Sequence, residues 1–258
     1  MSDFILRQNL KPGLVRLTMN RPQQFNALSE QMMAAMAREL ETIAQQPQTK
    51  VVILAGAGRA FCAGHDLKEM RAEPSEAYYK ALFSQCSELM LALQRLPQPV
   101  IAQVQGIATA AGCQLVAMCD LALAGHSARF AVSGVNLGLF CSTPSVALSR
   151  NIGRKQAMQM LLTGEFIDAA KACDWGLVNQ VVADDDLAAQ TEALADQILA
   201  KPAGALRLGK QLFYAQMQDN MARAYELACH TMASNMMQDT ALEGVQAFIE
   251  KRSPRWPT

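Results

Sequence analysis

Several features are missing from this sequence of 258 residues, and each absence excludes a class of protein. The 23 basic side chains are balanced by 23 acidic ones and form no basic run, so neither a nucleic-acid interface nor a polybasic membrane patch is expected. Only three histidines occur, His65, His126 and His230, and none belongs to an HExxH, HxH or mixed Cys/His pattern. A zinc or iron site built from side chains is therefore not expected. Any chemistry must use backbone groups, carboxylates or hydroxyls.

Paired cysteines and an export signal are missing as well. The seven cysteines are odd in number and show no CxxC spacing, in a chain too long to need disulfides for stability. The first five residues have neither the charged start nor the apolar segment of a signal peptide. The sequence therefore predicts reduced thiols and an unexported, cytoplasmic protein.

The longest apolar stretch, residues 107–125, approaches the length of a membrane span. It contains Gln114 and Asp120, and it is built largely of Ala and Gly rather than Leu and Ile. This composition favours a buried helix followed by a buried strand. No membrane span is expected.

Short apolar, β-branched segments alternate with helical patterns through the first half of the chain. Such segments are typical of parallel strands covered on both faces, and they occupy residues 51–54, 100–104 and 121–124. After about residue 144 the pattern is almost entirely helical. The sequence therefore predicts an α/β core with crossover connections over residues 1–195 and a helical C-terminal lobe over residues 196–258.

Two segments share one arrangement: a buried strand, then a loop of Ala and Gly, then the start of a helix. The loops lie near residues 63 and 110, about fifty residues apart. Small residues also pack tight turns, so one such loop alone has an ordinary structural explanation. Two loops at one edge of a sheet can aim two backbone N–H groups at one oxygen, because helix N-termini present unpaired donors. Such a pair of donors is an oxyanion hole.

The two loops read AFCAGHDL at residues 60–67 and GIATAAGCQL at residues 106–115. Both resemble the signature loops of the crotonase superfamily, the enoyl-CoA hydratase/isomerase family. Further matches follow in chain order at residues 20–22, 26–28, 162–165, 176–178 and 243–252. The resemblance therefore extends over nearly the whole chain.

The resemblance implies a crotonase (ClpP/crotonase-like) fold, a spiral of β-β-α units with a helical C-terminal trimerisation lobe. It implies homotrimers, or hexamers made of two trimers, and an acyl-CoA or enoyl-CoA thioester as substrate. Coenzyme A is then part of the substrate, and no separate cofactor or metal is expected. By position, the backbone N–H groups of His65 and Ala111 form the oxyanion hole. The residues implied to line the coenzyme A site are Ala63, His65, Asp66, Leu67, Lys68 and Ala111.

The resemblance also implies two proton-transferring glutamates, and both are replaced here. Gln114 stands at the first position and Gly134 at the second. An amide does not exchange a proton near neutral pH, and glycine has no side chain. Each positioned acid or base contributes roughly 10²- to 10⁴-fold in rate, so ordinary alkene hydration is not expected from these residues.

Three other side chains are candidates for the missing chemistry, each with a structural alternative. Asp66 is either a base or a helix cap, and His65 either transfers protons or covers the thioester. Cys141, followed by Ser142, is either a nucleophile or proton donor, or an inert buried thiol.

Two hypotheses about function follow from these residues. One is an enzyme that stabilises a thioester enolate during isomerisation, decarboxylation or hydrolysis. The other is an acyl-CoA-binding protein of the same fold without catalysis.

Overall fold

The structure is a computed structural model that describes residues 3–72 and 74–256. Short 3₁₀ turns at Pro22–Gln24, Ser133–Leu137 and Asp184–Asp186 connect some of its elements. The strands and helices follow in this order: β1 (Ile5–Lys11), β2 (Leu14–Met19), α1 (Glu30–Ala44), β3 (Val51–Gly56), β4 (Ala60–Cys62), α2 (Leu67–Ala72), α3 (Glu76–Arg95), β5 (Val100–Val104), β6 (Ile107–Thr109), α4 (Ala111–Met118), β7 (Leu121–Gly125), β8 (Arg129–Ala131), α5 (Ser142–Leu148), α6 (Arg154–Thr163), β9 (Ile167–Asp168), α7 (Ala169–Asp174), β10 (Gln180–Val182), α8 (Leu187–Leu199), α9 (Ala203–Gln216), α10 (Met221–Met236) and α11 (Asp239–Ile249).

Two sheets organise the first 182 residues. The larger has the order β1-β2-β3-β5-β7-β10, in which β1 and β2 form an antiparallel hairpin and the other neighbours are parallel. The smaller has the order β4-β6-β8-β9, parallel except for the last pair. Three successive units each place their first strand in the larger sheet and their second in the smaller, and then continue into helix. The chain therefore forms a spiral of β-β-α units.

The larger sheet is covered on both faces, as its apolar strands predict. Along β3, Val52 and Leu54 belong to one buried cluster, whereas Val51 and Ile53 belong to another. This alternation follows from the two-residue period of a strand. The first cluster lies under α1, α3 and α4, and the second lies under α8.

Helices α9 to α11 follow the sheets. A buried ion pair attaches α9 to the core: the ammonium of Lys210 donates to the carboxylate of Asp120 at 2.6 Å and to two backbone carbonyls at 3.0 Å. The predicted division between residues 195 and 196 falls inside α8, which is continuous across it. The division into two parts stays a prediction.

The apolar stretch at residues 107–125 contains β6, α4 and β7, so it forms a buried helix and a buried strand as predicted. Across residues 3–72 and 74–256, no helix combines the length and hydropathy that crossing a membrane requires.

Candidate functional site

The two Ala/Gly loops meet beside the smaller sheet. One follows β4 and the other follows β6, which are parallel neighbours. A Cβ built on Gly64 would lie 2.9 Å from the Cβ of Ala110 and 3.3 Å from the backbone nitrogen of Ala111. The loops therefore contact each other at residues adjacent in sequence to the two predicted donors, His65 and Ala111. The buried strands that precede these loops in the sequence pattern are β3 and β5 of the larger sheet. Each is followed by a short strand of the smaller sheet, β4 or β6, before the loop begins.

The first donor is oriented through its own peptide group. The carbonyl of Gly64 accepts a hydrogen bond from the N–H of Leu28 at 2.8 Å. Because the carbonyl and N–H of a trans peptide point in opposite directions, this bond directs the N–H of His65 away from Leu28. In the part of the chain that the structure describes, this N–H has no acceptor.

The second donor is oriented in the same way at the start of α4. The carbonyl of Ala110 accepts the N–H of Gln114 at 3.0 Å, which directs the N–H of Ala111 out of the helix N-terminus. This N–H has no acceptor among the described residues either. The partial positive charge of the helix N-terminus adds to the donor. Two preorganised N–H groups on touching loops are suited to binding a developing oxyanion.

Neither glutamate position holds an acid. Gln114 is 5% exposed, and its side-chain oxygen has no hydrogen-bond partner within the described ranges. At Gly134, a Cβ would lie 2.7 Å from the sulfur of Cys141 and would overlap the carbonyl oxygen of Leu139. The sulfur thus occupies the space beside Gly134, and it accepts the Gly134 N–H at 3.2 Å.

The thiol of Cys141 is buried at the start of α5. Burial raises its pKa above the ordinary value, and the hydrogen bond from the Gly134 N–H opposes this only in part. The thiolate is the reactive form of cysteine, so these surroundings favour an inert thiol near neutral pH.

The ring of His65 packs against Phe83 of α3 in an edge-to-face contact with the centroids 5.5 Å apart. Both ring nitrogens are buried, and residues 3–72 and 74–256 supply no hydrogen-bond partner for either. Burial lowers the pKa of His65. The nearby Leu28 carbonyl raises it to a smaller extent, without the geometry of a hydrogen bond. These surroundings favour the neutral imidazole.

Asp66 is occupied by structural contacts. One carboxylate oxygen accepts from the guanidinium of Arg21 at 3.1 Å, and the other accepts the backbone N–H of Lys68 at 3.1 Å. The second contact caps the first turn of α2. This geometry favours the capping alternative over a catalytic base.

The remaining predicted residues lie along the same loop. The N–H of Ala63 donates to the carbonyl of Phe25 at 3.0 Å, whereas Leu67 and Lys68 are exposed at the start of α2.

A cavity of about 500 Å³ lies next to this loop, and Asp66 belongs to both. The residues that line the cavity include Phe4, Asn20, Arg21, Gln24, Asp66 and Glu69. In the described portion of the chain, no cluster of three His, Cys, Asp or Glu side chains suited to a metal ion occurs.

Asn26 has a role that sequence reasoning missed. Its buried amide donates to the carbonyls of Ala57 and Ala60 at 2.9 and 2.8 Å, and its oxygen accepts the N–H of Arg21 at 2.9 Å. Asn26 therefore holds the segment before α1 against the turn between β3 and β4. The family match at residues 26–28 indicated the position, and nothing in the residue pattern indicated the contact.

The chain matches known proteins over nearly its full length. The Enoyl-CoA hydratase/isomerase family model matches residues 9–258. The crystal structure of an enoyl-CoA hydratase from Mycobacterium smegmatis is 59% identical, with a TM-score of 0.98 over 100% of both chains. That of human enoyl-CoA hydratase domain-containing protein 3 is 40% identical, with a TM-score of 0.94 over 98% of this chain and 100% of that chain. The mitochondrial protein of the same name from Xenopus laevis is 45% identical over 244 residues, 95% of this chain and 83% of that protein.

These matches confirm the family resemblance and the crotonase fold. The expectation of a cytoplasmic location is wrong, because the Xenopus, zebrafish and human relatives are all named as mitochondrial. The physical reason is that unpaired cysteines indicate a reducing compartment but do not indicate which reducing compartment it is.

Proposed function

The chain belongs to the enoyl-CoA hydratase/isomerase family, and from this premise we propose that it is an enzyme that stabilises an acyl-CoA thioester as its enolate. The supporting observation is the pair of N–H groups of His65 and Ala111, which have no acceptor among the described residues and are each oriented through the carbonyl of their own peptide. One preorganised donor of this kind typically contributes about 10²- to 10³-fold in rate. Coenzyme A is part of the substrate in this proposal, and no separate cofactor is needed.

In the proposed complex the thioester oxygen accepts both N–H groups, and coenzyme A passes along the loop that begins at Ala63 and continues through Leu67 and Lys68. As electrons move onto the thioester oxygen, its negative charge strengthens both hydrogen bonds. The N-terminus of α4 stabilises the same charge. These interactions grow toward the transition state, which is the condition for catalysis rather than mere binding.

The residues at the glutamate positions favour a reaction that needs no carboxylate base from the protein. Decarboxylation of an α-carboxylated acyl-CoA meets this condition. The bond from the α-carbon to the carboxylate breaks, its electron pair enters the thioester enolate, and carbon dioxide leaves. A proton from water then adds to the α-carbon, and the hydroxide that remains passes to the solvent. Isomerisation and thioester hydrolysis each require an additional group to move a proton or activate water.

A second candidate is an acyl-CoA-binding protein without catalysis. Gln114 and the filled space beside Gly134 favour it, because both remove proton transfer while leaving the two donors intact.

The proposed assembly is a homotrimer or a dimer of trimers. Helices α9 to α11 and the turn after α10 leave many large apolar side chains exposed. Contiguous exposed apolar surface commonly marks a contact with another molecule. The exposed side chains include Phe213, Met221, Tyr225, Met232, Met237 and Phe248.

A panel of crotonyl-, malonyl-, methylmalonyl- and butyryl-CoA tests the proposal, with binding measured by calorimetry and products by mass spectrometry. We expect binding of all four and release of carbon dioxide from a malonyl-type thioester. Binding without turnover of any member supports the second candidate instead. Absence of binding to every member contradicts both.

Substitution at Ala111 tests the donor itself. Ala111→Pro deletes the N–H at the first position of α4, where proline is compatible with a helix. We expect turnover to fall by about 10²-fold or more, while Ala111→Gly, which keeps the N–H, retains it. Equal turnover in the two variants would place the oxyanion site elsewhere.

A further inference from the structure

Ala110, the residue before the second donor, has an unusual backbone conformation. Its φ is +50° and its ψ is −120°. Residues with a Cβ rarely adopt this region, which glycine enters freely, so the conformation is strained. The strain is located one peptide bond from the N–H of Ala111.

Three contacts hold Ala110 in this conformation. Its N–H donates to the carbonyl of Ala131 in β8 at 3.0 Å, and its carbonyl accepts the N–H of Gln114 in α4 at 3.0 Å. Its methyl group lies against Gly64, where an added Cβ would be only 2.9 Å away. One strained residue is thus fixed by a strand, by a helix and by the other donor loop.

We propose that Ala110 is a positioning residue for the oxyanion hole, and that its methyl group fixes the direction of the Ala111 N–H. This inference rests on the proposed function. The ψ angle of Ala110 sets the orientation of the peptide between residues 110 and 111, and therefore the direction of that N–H. Glycine at this φ has a broad range of ψ at little cost, so the peptide would rotate more freely. Alanine cannot rotate in the same way, because at this φ its Cβ clashes with the atoms of the following peptide at most values of ψ.

A positioning role for Ala110 predicts opposite effects of its replacement on protein stability and on the polarisation of the thioester carbonyl. Ala110→Gly removes the strain, so the midpoint of thermal unfolding should rise. The same change should loosen the second donor and weaken its hydrogen bond to the thioester. If Ala110 had only a structural role, Ala110→Gly would change the unfolding midpoint and leave the polarisation of the thioester carbonyl unchanged.

Isotope-edited infrared spectroscopy measures the polarisation directly, with acetyl-CoA carrying ¹³C at the thioester carbonyl as the probe. At saturating acetyl-CoA, we expect the carbonyl band of the wild-type complex to lie at lower frequency than that of free acetyl-CoA. In Ala110→Gly the band should move part of the way back to the free value and broaden. The malonyl-type turnover should fall about 10-fold, mainly in kcat.

Lys251→Gly is the matched control, since Lys251 also has a positive φ, +54°, at the end of α11. It should raise the unfolding midpoint and leave the carbonyl band unchanged. An Ala110→Gly band identical to that of the wild type overturns the positioning role while leaving the proposed function intact. A wild-type protein that does not bind acetyl-CoA, or that leaves the band unshifted, overturns both.

Discussion

Gly134 stands where the family resemblance implies a glutamate, and the structure gives no room there for any side chain. The space is taken by the sulfur of Cys141 and the carbonyl oxygen of Leu139. The turn that leads into α5 therefore packs directly against the position where the acid is expected. Restoring the carboxylate requires this turn to move.

Gly134→Ala should destabilise the protein by about 1–3 kcal/mol, because the added methyl group meets the Cys141 sulfur at 2.7 Å and also the less yielding backbone of Leu139. Urea unfolding measures the change. Gly209→Ala is the control: apart from its chain neighbours and its own helix backbone, no described atom lies within 4 Å of its Cβ position in α9, so it should stabilise by about 0.5–1 kcal/mol. A Gly134→Ala protein as stable as the wild type would show that the turn adapts without cost.

The lowered pKa of His65 predicts that the stability of the folded protein depends on pH. Burial lowers its pKa below the ordinary value of 6.5, so the unfolded chain takes up this proton at a higher pH than the folded protein does. The stabilisation from the neutral ring is therefore complete above the unfolded pKa. It is lost as the pH falls through that value.

Wild-type protein should lose more stability than His65→Phe between about pH 7.5 and about pH 5.5. The comparison cancels the titration of the groups that both proteins share, and phenylalanine keeps the packing against Phe83. Urea unfolding at the two pH values gives the difference. Equal losses in both proteins would mean that the ring is protonated in the folded state as easily as in the unfolded one.

At the scale of elements, a buried ionic contact helps to attach α9 to the core. The carboxylate of Asp120 accepts the ammonium of Lys210, the backbone N–H of Val100 at 2.7 Å and the hydroxyl of Tyr214 at 2.9 Å. Burial lowers the pKa of Lys210, and Asp120 opposes this shift. The contact joins α9 to the start of β5 and to the turn before β7.

Lys210→Met should cost about 3 kcal/mol or more, because it leaves the carboxylate of Asp120 without its cation in a largely buried place. The double variant Asp120→Asn with Lys210→Met should be less destabilised than Lys210→Met alone. Arg95→Gln is the exposed control, since its pair with Glu88 lies in solvent and should contribute less than about 1 kcal/mol. Chemical denaturation of the four proteins tests the order. A Lys210→Met protein no weaker than Arg95→Gln would contradict it.

Elements with a clear apolar pattern were predictable from the sequence. The buried strands predicted at residues 51–54 and 100–104 coincide with β3 and β5. The smaller sheet was not predictable from the residue pattern, because β4, β6 and β8 have three residues each. Three residues are too few to display a two-residue period. The donor loops follow two of these short strands.

The same limit applies to the site. The family resemblance identified His65 and Ala111 as candidate donors, and the local spacing identified the start of α4. The N–H of Leu28 orients the first donor through the carbonyl of Gly64, and the carbonyl of Ala131 holds Ala110 beside the second donor. Leu28 and Ala131 are both distant in sequence from the donors that they affect. A local pattern contains no information about such partners. The roles of the individual site residues stay predictions that the variants above test.

At the scale of the whole molecule, the C-terminal helices α9 to α11 bury few of their side chains. Phe248 of α11 is 86% exposed and Met237, which follows α10, is 77% exposed. The formal net charge is zero, so charge repulsion between copies is weak. Apolar surface of this extent is stabilised when another molecule covers it. The proposed trimer would provide that cover from copies of the same chain.

Phe248→Glu should shift the assembly toward smaller species, because a carboxylate at a contact between copies would be desolvated without a partner. Sedimentation velocity over a range of protein concentrations measures the shift. Thr42→Glu adds the same charge to the exposed side of α1 and should leave the distribution unchanged. If wild-type protein sediments as a monomer at every concentration, the apolar surface of α9 to α11 is not a contact between copies. If Phe248→Glu and Thr42→Glu both sediment like a wild-type trimer, the trimer forms through another face.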